Sequence, residues 1–195
     1  MLRLHAFVPA SRANGPGLRA VVWFQGCTIG CPGCFNPDTH SSAAGVGESV
    51  EPDGVWERIR AAAGSAGGIE GVSFSGGEPF QQPDALLDLV ERSVDANLSV
   101  VIFSGYTRCA IEAMPLGAAI LGRTDVLIAG PYRREEHAGI GLLGSANQRI
   151  HFLTGRYSPA DFAAVPTAEV VLHRDGTVTL SGIKPLRAAW PARRE

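Results

Sequence analysis

The chain has 195 residues, of which 45% are hydrophobic and 18% are charged, the usual balance of a globular protein. The formal net charge of −2 gives no overall attraction to nucleic acid or to an anionic membrane surface. No stretch reaches the roughly 18 apolar residues of a membrane span, and no signal peptide pattern opens the chain, so we expect a cytoplasmic protein. The length predicts one domain over residues 1–183, followed by a basic tail over 184–195.

The first third of the chain contains two predicted strands on either side of a loop. Residues 2–8 alternate apolar and polar side chains, which predicts an edge strand, and the apolar run 21–24 predicts a buried strand. Residues 41–54 are small, glycine-rich and acidic, and we expect a mobile connection there. Helical spacing of apolar residues then predicts a helix over 55–63.

Strands and helices alternate through the middle of the chain. The predicted elements are a strand at 71–74, a helix from Pro83, a strand at 98–103, a helix at 107–121, a strand at 125–129 and a β-hairpin at 169–181 with Asp175-Gly176 in its turn. This order predicts an α/β fold with a parallel sheet. A closed eight-stranded barrel typically takes about 250 residues, so we expect an incomplete, open (β/α) barrel.

Three of the four cysteines lie within eight residues of one another, in a C-x3-C-x2-C pattern formed by Cys27, Cys31 and Cys34. In a reducing compartment such a cluster indicates metal binding or catalysis more often than a disulfide. Structural zinc needs four ligands, and the fourth would have to be Cys109 or His40. An iron–sulfur cluster held by three thiolates would leave one iron open to an outside ligand. The cysteines alone leave both metals possible.

Four turn-like segments each follow a predicted strand: residues 27–34, 76–78, 104–106 and 130–132. Ligands of parallel sheets gather at the carboxyl ends of the strands. We therefore expect all four segments to lie on one rim.

Several of these segments, taken together, resemble a known family. They are the cysteine loop, Gly-Pro-Gly-Leu-Arg at 15–19, Ser-Gly-Gly-Glu-Pro at 75–79, Ser-Gly-Tyr-Thr at 104–107, Gly-Pro-Tyr at 130–132 and Ser-Ala-Asn-Gln-Arg at 145–149. The pattern resembles the radical S-adenosylmethionine (SAM) enzymes, in the branch of the activating enzymes of glycyl radical enzymes, such as the anaerobic ribonucleotide reductase activases. The likeness covers roughly residues 12–150.

The resemblance implies an incomplete barrel of the radical SAM type that contains a [4Fe–4S] cluster and binds SAM. Cys27, Cys31 and Cys34 would hold the cluster, and its open iron would bind the methionine part of SAM. The implied SAM-binding residues are Gly33, Cys34 and Phe35 near the adenine, Gly76, Gly77 and Glu78 near the methionine part, and Ser104 near the ribose or carboxylate. Glu78 would accept a hydrogen bond from the SAM ammonium group.

The implied reaction cleaves SAM with one electron to methionine and a 5′-deoxyadenosyl radical, which takes hydrogen from a glycine of a large partner enzyme. A flavodoxin- or ferredoxin-type protein would supply the electron, and no catalytic residue beyond the cluster and SAM is required. His40 and Ala129 depart from the activase pattern, which leaves room for a radical SAM enzyme acting on another protein, a peptide or a small molecule. The alternative of another class is a non-enzymatic iron–sulfur or zinc-binding module.

Two further expectations concern residues outside these motifs. Cys109 is expected to be a small buried residue of the predicted helix 107–121. Residues 147–149 are expected to belong to a loop that closes over the site or the partner.

Overall fold

The computed structural model describes residues 1–34, 36–172, 176 and 178–182. Its strands are β1 (Leu2–Ser11), β2 (Arg19–Phe24), β3 (Glu48–Val50), β4 (Gly71–Gly76), β5 (Ser99–Ser104), β6 (Val126–Ala129), β7 (His137–Ile140), β8 (Leu143–Ser145), β9 (Arg149–Phe152), β10 (Ala168–Leu172) and β11 (Val178–Gly182). Its α-helices are α1 (Pro52–Ala63), α2 (Pro83–Asp95), α3 (Arg108–Glu112), α4 (Gly117–Leu121) and α5 (Pro159–Ala163). No helix in these ranges is long and apolar enough to cross a membrane.

Seven of the strands form one sheet in the order β3-β1-β2-β4-β5-β6-β9. The four central strands, β2, β4, β5 and β6, are parallel neighbours. Antiparallel strands flank them, with β1 and β3 on one side and β9 on the other. The α/β class with a mainly parallel sheet is thus confirmed, and the described sheet ends at β3 and β9 without closing into a barrel.

Apolar side chains cover both faces of the sheet. On β5, Val100 and Ile102 belong to the main core against the helices α1 to α4, whereas Val101 belongs to a second core on the opposite face that includes Phe162 of α5. Successive side chains of a strand point to opposite faces. A continuous apolar run such as that of β5 is therefore what a parallel strand buried on both sides requires.

Three predictions of secondary structure need correction. The first strand is not an edge strand, because β1 pairs with both β2 and β3. The segment 41–54, expected to be a mobile connection, contains the edge strand β3. The helix expected over 107–121 is two short helices, because Leu116, which follows Pro115, adopts a φ of 61° that no α-helix tolerates.

The hairpin prediction is confirmed, since β10 and β11 pair antiparallel from Ala168–Gly182 to Leu172–Val178. Asp175 of its expected turn lies outside the described residues. So does the basic tail 184–195.

Candidate functional site

A cavity lies at the carboxyl ends of the four parallel strands and contains about 940 Å³, counting the space that opens to solvent. All four segments that follow the predicted strands contribute to its wall, so the expectation of one shared rim is confirmed. The predicted site residues found in the wall are Cys27, Cys31, Cys34, Gly76, Gly77, Glu78 and Ser104. We refer to this cavity as the rim pocket.

Two other predicted site residues are placed differently. Gly33 does not belong to the described wall of the rim pocket. It faces Arg134 instead, whose Cδ would lie 3.0 Å from a Cβ added at Gly33. Phe35 lies outside the described residues, so its proposed contact with adenine stays a prediction.

The three thiols of the cysteine loop are free and partly buried. Burial raises the pKa of the Cys27 and Cys34 thiols above the ordinary value. A thiol with a raised pKa is a poor nucleophile at neutral pH, whereas a bound metal deprotonates it outright.

Within the described part of the chain, no three His, Cys, Asp or Glu side chains are arranged to hold a metal ion. The fit to an iron–sulfur cluster rests on the chemistry of the donor set, because three cysteine thiols line one pocket and thiolates are the ligands of such clusters.

Gly76 and Gly77 allow β4 to approach the cysteine loop closely. The Gly77 and Glu78 amides donate hydrogen bonds of 2.8 and 2.9 Å to the carbonyls of Phe24 and Gly26. A Cβ on Gly77 would lie 2.3 Å from the Gly26 oxygen, and one on Gly76 would lie 2.5 Å from the Phe24 nitrogen. Both glycines are therefore required by the contact between two backbones, in addition to any approach of a ligand.

A glutamine that sequence reasoning missed holds the other side of the loop. The Gln81 side chain accepts a hydrogen bond of 3.1 Å from the Thr28 amide and donates one of 2.8 Å to the Thr28 hydroxyl. It also donates to the Tyr106 hydroxyl at 2.8 Å, which joins the loop to the segment after β5. The only sequence signal was its position, three residues after Glu78 of the Gly-Gly-Glu motif.

Glu78 is a fully buried carboxylate that joins the ends of β4 and β5. One oxygen accepts hydrogen bonds from the Phe80 amide at 3.1 Å and the Ser104 hydroxyl at 2.9 Å, and the other accepts from the Gly105 amide at 2.8 Å. Burial raises the pKa of Glu78 to about 7, although these three hydrogen bonds act in the opposite direction. Because the Ser104 hydroxyl donates to Glu78, it cannot donate to a ligand carboxylate at the same time.

The segment between β8 and β9 is tied to the end of β6. Gln148, which lines the rim pocket, donates a hydrogen bond of 2.8 Å to the Gly130 carbonyl, and Asn147 donates one of 2.8 Å to the Pro131 carbonyl. Sequence reasoning also missed Asn14 and Trp23 in the pocket wall.

Cys109 is exposed, so the expectation that it is buried is wrong.

The chain is similar to proteins of known family. Residues 13–151 match the model of the 4Fe-4S single cluster domain. An anaerobic ribonucleoside-triphosphate reductase-activating protein of Vibrio cholerae is 30% identical over 164 residues, covering 78% of this chain and 99% of the relative. The protein of the same name from Escherichia coli is 26% identical over 78% of this chain and 99% of its own length. A pyruvate formate-lyase-activating enzyme of Clostridium pasteurianum is 34% identical over 52% of this chain and 42% of its own length.

The matches agree with the geometry, since the model of the single-cluster domain covers the cysteine loop, β4 to β6 and the Gly-Gly-Glu segment in one stretch. The chain therefore belongs to the 4Fe-4S single cluster domain family, in the branch of the radical SAM enzymes that activate glycyl radical enzymes.

Proposed function

We propose that Cys27, Cys31 and Cys34 hold a [4Fe–4S] cluster in the rim pocket and that SAM binds beside it, on the incomplete barrel of a radical SAM domain formed by residues 1–183. The observation that carries this proposal is that the three thiols and the Gly76–Glu78 segment line the same pocket. The fold supports it as well, because the four parallel strands end at this pocket. Cluster and SAM are the cofactors of the family to which the chain belongs.

A reduced cluster held by Cys27, Cys31 and Cys34 would supply the one electron needed to break a C–S bond of SAM, and the radical released from SAM would remove hydrogen from the substrate. The chain's own residues position the reactants. An ionised carboxylate offers about four lone-pair sites, and Glu78 uses three of them within the protein. One site is left for the ammonium group of SAM. Gly33 and Phe35 near the adenine, and Ser104 as an acceptor, complete the proposed SAM site.

The partner is proposed from the relatives. The Vibrio cholerae relative is named for the activation of anaerobic ribonucleoside-triphosphate reductase, and the Clostridium relative for that of pyruvate formate-lyase. We propose that this chain likewise installs a glycyl radical on a large enzyme, in the cytoplasm, with a flavodoxin- or ferredoxin-type electron donor.

Anaerobic reconstitution with iron and sulfide, followed by SAM and dithionite, tests the chemistry. The parent protein should form 5′-deoxyadenosine and methionine. Cys31→Ala should lose both the cluster absorbance and the products, whereas Cys109→Ser, which changes an exposed cysteine, should retain both. A parent protein that is fully loaded and reduced but forms no product, or a Cys31→Ala variant that keeps its cluster, would overturn the proposal.

A further inference from the structure

The hairpin of β10 and β11 presents an exposed apolar face. Val170 and Leu172 on one strand are 50% and 75% exposed, and Val178 and Leu180 on the other are 45% and 38% exposed. Val170 pairs with Leu180 and Leu172 with Val178, so all four side chains lie on one face of the hairpin. Of the seven large hydrophobic residues that are exposed in the described part of the chain, four belong to this face. We call it the hairpin face.

The opposite face of the hairpin is fastened to the body of the protein. The Glu169 carboxylate accepts hydrogen bonds from the Ser11 hydroxyl and, at 2.9 Å, from the Arg12 amide. The Asn14 amide group donates to the Ser181 hydroxyl at 2.5 Å. These polar contacts fix which face of the hairpin is turned outward.

The hairpin also borders the rim pocket. Gly182, the last residue of β11, lines the pocket together with Asn14, the residue that holds Ser181. The hairpin therefore adjoins the pocket at Gly182, and Leu180 of the hairpin face lies two residues before this glycine on the same strand. It also lies beyond residues 13–151, the stretch that matches the single-cluster domain, so the shared domain does not account for it.

We propose that the hairpin face is the docking surface for the glycyl radical enzyme that this chain activates. The inference rests on the proposed function, since hydrogen transfer requires the partner's glycine to enter the rim pocket. A protein that reaches into the pocket must pass over its border, and the hairpin that carries the apolar face adjoins that border at Gly182. The cores of protein interfaces are apolar, and exposed apolar patches mark such sites. The partner should accordingly present an apolar surface next to its target glycine.

The double variant Leu172→Thr/Leu180→Thr tests the surface, because threonine suits a strand and removes most of the apolar area. The control is Leu116→Asn, which removes a leucine that is 37% exposed and whose φ of 61° asparagine tolerates. The probe is an anaerobic ribonucleoside-triphosphate reductase, the enzyme for which the Vibrio cholerae relative is named. Three quantities are measured for each protein: the Kd for the probe, the glycyl radical yield by electron paramagnetic resonance, and the SAM cleavage with dithionite in the absence of the probe.

The double variant should bind the probe at least about tenfold more weakly, with a matching loss of radical yield, because a few buried apolar side chains supply most of the affinity of an interface. Its cleavage of SAM without the probe should equal that of the parent, which shows that the fold and the cofactor site are intact. Leu116→Asn should behave as the parent in all three measurements.

Other outcomes separate the two proposals. If the parent cleaves no SAM, the proposed function fails whatever the hairpin does. If the parent cleaves SAM and activates the probe, but the double variant activates it equally well, the docking surface is refuted. Two results with an unaltered Kd for the probe would also overturn the proposal. A change in the sedimentation coefficient of the double variant would show that a second copy of the chain covers the hairpin face. A change in its melting temperature alone would show that this chain's own residues cover it. If the double variant loses SAM cleavage, the single variant Leu172→Thr takes its place in the same three measurements, and the same outcomes support or refute the docking surface.

Discussion

Replacing Glu78 with glutamine should change how the stability of the apoprotein depends on pH. Folding buries this carboxyl completely and raises its pKa from 4.5 to about 7. A carboxyl whose pKa rises on folding binds its proton more tightly in the folded state. Its stabilising contribution is therefore complete below pH 4.5 and is lost as the pH rises through about 7.

The size of the effect follows from the shift and from the hydrogen bonds. One pKa unit corresponds to about 1.36 kcal/mol. As the pH rises from 4.5 to above about 7, the ionisation of Glu78 should therefore lower the free energy of unfolding by roughly 3 kcal/mol. Glutamine has no such dependence, but it carries a single acceptor oxygen for the three donors that Glu78 satisfies. The Gly105 amide would then face the amide group of glutamine, at a cost of about 1–3 kcal/mol at every pH. The Glu78→Gln variant should thus be less stable than the wild type at pH 4.5. The free energy of unfolding of the wild type, minus that of the variant, should fall by roughly 3 kcal/mol between pH 4.5 and pH 8.

Urea unfolding of both apoproteins, followed by far-ultraviolet circular dichroism from pH 4.5 to 8 under reducing conditions, measures the difference. Glu91→Gln, which removes an exposed carboxylate from α2, controls for the loss of one charge. If the wild-type and Glu78→Gln curves run parallel across this range, the carboxyl does not titrate as a buried group. Burial would then not be what controls the protonation of Glu78.

The remaining predictions concern the support of the cysteine loop. Gly77→Ala should destabilise the protein by about 1–3 kcal/mol and lower its iron content after reconstitution, because the added Cβ would lie 2.3 Å from the Gly26 oxygen. Gly155→Ala, where a Cβ would meet nothing within 4 Å, should leave both quantities unchanged. Gln81→Leu removes the hydrogen bonds to Thr28, so it should lower the free energy of unfolding by about 1–3 kcal/mol and speed the loss of cluster absorbance in the presence of a chelator. Equal rates of loss in variant and parent would contradict the role assigned to Gln81.

The location of the site could be predicted because it depends on strand order. Each chemically distinctive segment follows an apolar run, and parallel strands place their carboxyl ends at one edge of the sheet. Cys27, Gly76, Ser104 and Gly130 line one pocket for this reason, although 103 residues separate the first from the last. The alternation of apolar strands and helices along the chain supplies that information, and no contact between side chains has to be known.

The supports of the site could not be predicted in this way. Gln81 acts through two partners that lie 53 and 25 residues away, and apart from its position three residues after Glu78 the sequence does not distinguish it from a surface glutamine. Cys109 shows the converse error. The sequence predicts one helix over 107–121 with Cys109 buried in it, but the break at Leu116 leaves a helix of five residues in which Ile111 alone is buried.

The Gly-Pro-Gly-Leu-Arg segment shows that a family-like motif can lie outside the described wall of the rim pocket. Arg19 lies at the start of β2, whereas the cysteine loop follows the end of the same strand. Its guanidinium is fully buried and donates hydrogen bonds of 2.9 Å to the Ser73 and Ser99 hydroxyls and of 3.0 Å to the Val72 carbonyl. One side chain thereby joins β2 to β4 and β5 beneath the rim pocket. Because Gly76 and Gly77 join β2 to β4 at the other end, the strand that precedes the cysteine loop is fixed at both ends, and the sheet sets the point from which the loop starts.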